Sequence, residues 1–157
     1  MIRLWCAAVA LMCLPLSAIA DDAFVDWVST SGPLPPEYAW SVNMTISAGG
    51  MLVLRHCKGY VTEGKDCTTK TATVPKAKLD AIRAAVTKAD LAQRPMREME
   101  MPPIGGSTVA AVVHMNGTKI SVSGFPIEAD ADRVGPVLAA IYKAVPTRIA
   151  EEYIEGD

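Results

Sequence analysis

The chain predicts an α+β fold: an antiparallel five-stranded sheet in the order β-β-β-α-β-β-α, with two amphipathic helices packed on one face. Three observations carry this expectation. Residues 38–47 alternate large apolar with small polar side chains, Asn116-Gly117 separates two β-rich runs, and two later stretches repeat apolar residues at helical spacing.

The first strand is the clearest. Tyr38, Trp40, Val42, Met44 and Ile46 alternate with Ala39, Ser41, Asn43, Thr45 and Ser47, the period of two that a half-buried strand requires. Ala48-Gly49-Gly50 supplies a turn, because glycine tolerates positive φ. Met51 to His56 is the return strand. Thr68 to Val74 is threonine-rich, which suits an edge or a solvated face. Pro75 fits the first turn of a helix, where its missing N–H costs nothing. Leu79, Ile82, Val86 and Ala89 form that helix's apolar stripe, which ends near Leu91.

Residues 93–106 follow as a long connection marked by Pro95, Pro102, Pro103, Gly105 and Gly106. Connections of this length are often functional. Val109 to Met115 and Lys119 to Ser123 then flank Asn116-Gly117, the strongest short hairpin signal, because a type I′ turn needs positive φ twice. Val134, Val137, Leu138, Ile141, Tyr142 and Val145 form the second helical stripe. Pro136 lies inside it, so either the regular helix starts at Gly135-Pro136, or residues 130–133 form an offset first turn before a kink. Pro146 ends this helix, and the tail 147–157, with Ile149, Tyr153 and Ile154, suits a short final one.

Residues 38–146 therefore read as a single domain. Residues 21–37 are expected to be a proline-rich arm, since Pro33, Pro35 and Pro36 deny regular structure its donors. Phe24, Val25, Trp27 and Val28 would tack that arm to the body.

The first 20 residues read differently. Arg3, an apolar run from Leu4 to about Leu16, and Ala18-Ile19-Ala20 ahead of Asp21-Asp22 make a secretory signal peptide cleaved after Ala20. The run is too short to span a bilayer, and Cys13 lacks the preceding small residue of a lipid-attachment site. Cleavage would remove Cys6 and Cys13 and leave Cys57 and Cys67 in an oxidising periplasmic or extracellular compartment, where they are expected to pair. Closing a loop of that length stabilises by roughly 2.5–3 kcal/mol. Cys-x-x-Cys spacing, the mark of a redox pair, is absent. With a net charge of −2 before cleavage and no basic patch, nucleic acid is not an expected partner. No second apolar run approaches membrane-spanning length, so no membrane anchor is expected after signal removal.

The chemistry-bearing residues are few. His56 and His114 are the two histidines, each in an expected strand, and no Gly-x-Ser-x-Gly elbow accompanies them. Asp130 with Asp132 suits a helix start, and Glu151 with Glu152 a solvated face. No catalytic residue is assigned and no enzyme activity is expected; the alternative, an enzyme of unrecognised type, would need His56 or His114 in a deep pocket beside a carboxylate. Asn43 and Asn116 lie in Asn-x-Thr sequons, in a strand and a tight turn that make poor acceptors. Met96-Arg97-Glu98-Met99-Glu100-Met101 is the sharpest local oddity. Soft thioethers of Met96, Met99 and Met101 suit Cu(I), with His114 or Met115 able to complete a site. The competing reading has these methionines filling gaps between loop and sheet.

The Gly-Gly hairpin after Ile46-Ser47, the Pro-started helix from Leu79 to Leu91, and the Asn-Gly hairpin within Val109 to Val122 together resemble small exported bacterial domains with a ββ(β)αββα plan. More loosely, the pattern is similar to emfourin-type inhibitors of thermolysin-like metalloproteases. A small disulfide-stapled body with two constrained loops and no catalytic set points to a non-enzymatic binding or inhibitor-like domain with a protein partner. The two constrained loops, 57–67 and 93–106, supply the candidate contact residues Lys58, Tyr60, Glu63 and Lys65, and Arg97, Glu98 and Glu100.

Overall fold

A computed structural model describes residues 22–103 and 105–154; the signal segment and its Ala20 cleavage point lie outside them. Six strands form one antiparallel sheet: β1 (Ala23–Thr30), β2 (Trp40–Ser47), β3 (Met51–Lys58), β4 (Cys67–Thr73), β5 (Thr108–Met115) and β6 (Thr118–Ser123), in the spatial order β4-β3-β2-β1-β5-β6. Among the described residues three helices accompany them: α1 (Lys76–Ala89), α2 (Glu128–Ala144) and α3 (Thr147–Tyr153).

The α+β class is as expected, but the sheet has six strands rather than five. The additional strand is β1, which occupies the segment expected to be a loose arm. It lies at the centre of the sheet, bonded to β2 on one side and β5 on the other. Its own sequence explains why. Val25, Trp27 and Ser29 are buried while Asp26 and Val28 face the other way, the alternation of a strand, and the prolines begin only beyond its end. A register shift between Ala23 and Val25 turns Phe24 inward as well, where the Arg83 guanidinium lies 4.5 Å from its ring centroid.

The register stacks the core in rows across the sheet. Val122, Ala111, Trp27, Met44 and Leu54 form one row, and Ile120, Val113, Val25, Ile46 and Leu52 the next. All ten are buried. Leu79, Ile82 and Val86 of α1 and Val134, Val137 and Ile141 of α2 complete the same cluster, so both apolar stripes meet one face of the sheet. The opposite face carries exposed Asn43, Thr45, Arg55, Thr69 and Thr71. Farther along, α3 buries Ile149 and Ala150, and Tyr153 lies with its ring 5.8 Å from that of His56. The Lys70 ammonium sits over the Tyr153 ring at 5.2 Å. Donation of a hydrogen bond to the Tyr153 oxygen, followed by the charges of Tyr153 and Glu152, holds Lys70 above its usual pKa.

The helix α2 starts at Glu128, earlier than Gly135, and runs unbroken through Pro136. Proline deprives the carbonyl four residues back of its donor; that carbonyl belongs to Asp132, and both residues are exposed, on the side of the helix where solvent has access.

One buried carboxylate ties the long α1–β5 connection to this frame. Asp130 Oδ2 accepts the Arg97 backbone N–H at 3.0 Å, and Oδ1 accepts Arg133 Nη1 at 2.6 Å. Arg133 also donates to the carbonyls of Ala89 and Arg94. The Arg97 amide, then the Arg133 guanidinium, hold the Asp130 carboxyl below the usual carboxylate range, against an opposing effect of burial. A folded pKa below the unfolded value of about 3.9 means stability that is present above that value and lost as pH falls through the folded one. Asp130→Asn is therefore expected to lower Tm by several degrees at neutral pH and to flatten the acid limb of the Tm–pH curve. Thermal melts from about pH 2 to pH 7 check this.

Candidate functional site

Antiparallel order brings every loop of one kind to one end of the sheet. The β1–β2 connection (31–39), the β3–β4 connection (59–66) and the last residues of the α1–β5 connection (105–107) all leave or enter strands at the same end. Bonds then knit them together. Ser29 Oγ donates to the Thr108 carbonyl at 2.9 Å, and the hydroxyls of Thr30 and Thr108 bond at 2.8 Å, zipping the exit of β1 to the entry of β5. Gly32, at φ +75°, passes so close to Gly106 that a Cβ there would stand 2.5 Å from the Gly106 oxygen. On the other side the Gly59 N–H donates to the Ala39 carbonyl at 2.6 Å, and the Tyr60 hydroxyl donates to the Leu34 carbonyl.

The 31–39 loop is thus the bridge between the two loops singled out from the sequence. Its own shape follows from its prolines. Pro35 presents a carbonyl that accepts the N–H groups of both Tyr38 and Ala39, a single helical turn that lifts Tyr38 outward. The floor is Trp40, whose backbone N–H donates to Ser31 Oγ at 3.1 Å. Between floor and loops lies a cleft of about 580 Å³, lined by Leu34, Tyr38, Trp40, His56, Lys58 and Ser107. Leu34, 40% accessible, and Tyr38, 67%, form an exposed apolar part of its rim, while Tyr60, at 62%, and Val61, at 40%, stand beside a neighbouring hollow that shares Trp40 with it. Leu34, Tyr38 and Trp40 were missed as site residues, because Tyr38 and Trp40 read as strand positions. The signal available was a large apolar residue, Leu34, placed among prolines.

Cys57 and Cys67 form the expected disulfide, facing each other across β3 and β4. It closes the 58–66 loop at its base, with Lys58, Tyr60, Glu63 and Lys65 all exposed. The other proposed contact residues are placed elsewhere. Ile127 N–H donates to the Arg97 carbonyl, Met99 N–H donates to the Phe125 carbonyl, and Glu98 bridges to Pro126. That part of the connection follows the turn between β6 and α2, and among the described residues Arg97, Glu98 and Glu100 do not line the cleft.

The methionine run is divided. Met96 is half-buried, and its Sδ accepts the Ser123 N–H at 3.1 Å, while Met99 is 42% and Met101 85% accessible. A Cu(I) site using all three thioethers would have to draw on a Met96 sulfur that already accepts this bond. Among the described residues no group of three or more His, Cys, Asp and Glu is arranged to hold a metal ion.

The two histidines lie on opposite faces. His56 is buried beneath Tyr153 on the helix-covered face. His114 lies on the open face with Nε2 3.0 Å from Asp26 Oδ2, and Thr45 Oγ1 donates to Asp26 Oδ1 at 3.1 Å. This row has the three residue types of a hydroxyl-based triad in the wrong order. A nucleophile must bond to the imidazole, whereas here the carboxylate stands between hydroxyl and ring.

Among the described residues no helix is long and apolar enough to cross a membrane. No protein-family model matches the chain, and no curated protein matches it.

Proposed function

We propose that this is an exported, non-enzymatic binding domain that engages a protein partner, in the manner of an inhibitor, through the loop end of its sheet. One observation carries the reading: Leu34, Tyr38, Tyr60 and Val61 are exposed together at that end, on loops held by a disulfide and by inter-loop hydrogen bonds. A soluble domain seldom exposes a cluster of large apolar side chains without a use for it. Tyrosine is among the residues that most often dominate interface energies, and loops already fixed in place reduce the entropy lost on binding. The cleft floored by Trp40 would receive one side chain of the partner. The loose resemblance to emfourin-type inhibitors makes secreted thermolysin-like metalloproteases the first partners to test.

The test is an inhibition and calorimetric titration against a panel of secreted proteases, metalloproteases first. Tyr38→Ala removes a rim side chain whose ring anchors no other loop, so binding is expected to weaken by about thirtyfold, the effect of a strong interface residue, with Tm nearly unchanged. Absence of binding across the panel and in a periplasmic extract would sink the proposal. So would a Tyr38→Ala protein that binds a found partner as tightly as the parent.

A further inference from the structure

The two edges of the sheet are not alike. In an antiparallel ladder, alternate residues bond inward to the neighbour, and those between them point their N–H and C=O outward. Lys58 N–H donates to the Asp66 carbonyl and Val74 N–H to the Gly50 carbonyl, which fixes the phase on β4. Thr68, Lys70 and Ala72 bond inward to β3. Thr69, Thr71 and Thr73 present their backbone groups outward, and all three are exposed. Among the described residues none of the three is bonded to another element through its backbone.

The β6 edge is guarded. The same argument, phased by the Asn116-Gly117 hairpin with Met115 opposite Thr118, turns Lys119, Ser121 and Ser123 outward. Lys119 is a charge on the edge, and the Ser123 N–H is already taken by Met96 Sδ. Charges and covering loops are how proteins blunt an edge. The β4 edge has no proline within Cys67–Thr73, and its single charge, Lys70, belongs to an inward-bonding residue whose side chain is engaged by Tyr153.

We propose that β4 is the interface of a homodimer, in which two copies pair edge to edge through a twofold axis at Thr71 and join their sheets. The register follows from the sequence of the strand. An axis at Lys70 would set two lysines directly opposite, which is unfavourable. An axis at Thr69 would call on the Cys67 N–H, which is committed to the Gly64 carbonyl. An axis at Thr71 pairs Thr71 with Thr71 and Thr69 with Thr73 as reciprocal hydrogen-bonded pairs. It sets Lys70 opposite Ala72, and it stops at Pro75, which has no donor. Threonine pairs across strands are favourable in themselves. The two loop ends then point in opposite directions, so each copy keeps its cleft free.

Sedimentation velocity and light scattering across a concentration series test this. The purified protein is expected to pass from monomer to dimer as concentration rises. Thr71→Pro removes one outward donor and no inward bond, a change that edge strands tolerate, and is expected to give monomer with the circular dichroism of the parent. Thr71→Lys, which places two charges face to face at the axis, is expected to do the same without altering the backbone. Ser121→Pro, the equivalent change on the β6 edge, is expected to leave the dimer intact. A parent that stays monomeric at millimolar concentration overturns the proposal, as does a Thr71→Lys protein that dimerises like the parent. The result is independent of partner binding at the loop end, since none of these positions lines the cleft.

Discussion

Trp27→Ala is expected to destabilise the protein by about 3–5 kcal/mol, the usual cost of deleting a large aromatic side chain from a packed core. Trp27 is 7% exposed and stands mid-row between Ala111 of β5 and Met44 of β2. Alanine there would leave a void that neither neighbouring strand can close without giving up its pairing. Urea unfolding followed by circular dichroism reads the change. The result also discriminates between two structures for residues 23–30. A side chain on a loosely attached arm would cost within about 0.5 kcal/mol, as surface substitutions generally do. A shift that small would mean that β1 is not a central strand.

Removing the disulfide is the second large effect. Cys57→Ala with Cys67→Ala is expected to cost roughly 2–3 kcal/mol by releasing the unfolded chain from a closed loop. The bond joins directly opposed residues at the exit of β3 and the entry of β4, so its loss also frees the base of the 58–66 loop. Tyr60 and Val61 would then sample more conformations, and partner affinity is expected to fall along with stability. Melts with and without a thiol reductant, alongside the double variant, measure the first effect; the titration described above measures the second. A double variant as stable as the parent would mean that the β3–β4 ladder holds this corner unaided.

What was legible in the chain was whatever depends on near neighbours. The β2–β3 turn, the Asn116-Gly117 hairpin and the stripe of α1 are each written within about 20 residues, and each stands where expected. The alternation of β1 is local, but its central place in the sheet was not legible, because its partners are distant. Val25 acquires its meaning from Ile46 and Val113, and the nearby prolines pointed toward an arm. The cleft was hidden for a related reason. Tyr38 and Trp40 look like ordinary alternating positions until the sheet order brings Gly106 against Gly32. In α2, Pro136 suggested a late start or a kink; the helix starts at Glu128 instead and tolerates the proline at an exposed position, where Asp132 also faces solvent. The methionine run shows the limit of local composition: Met96 points inward to Ser123, and Met101 stands in solvent.

The place of β1 also sets the order in which the chain can assemble. The strands β2, β3 and β4 form a meander of consecutive neighbours, and α1 follows directly, so this half needs only short loop closures. The other half waits. The inner strand of the sheet is completed only when β5, which begins at Thr108, reaches back to a segment near the beginning of the chain. Pairings across such sequence separations slow folding. Until Met115 is available, the β1 flank is an open row of donors and acceptors, with Val25 and Trp27 beside it. A chain interrupted between Ala89 and Thr108 would present that row to its neighbours, which makes this stretch the point where a truncated product is expected to aggregate.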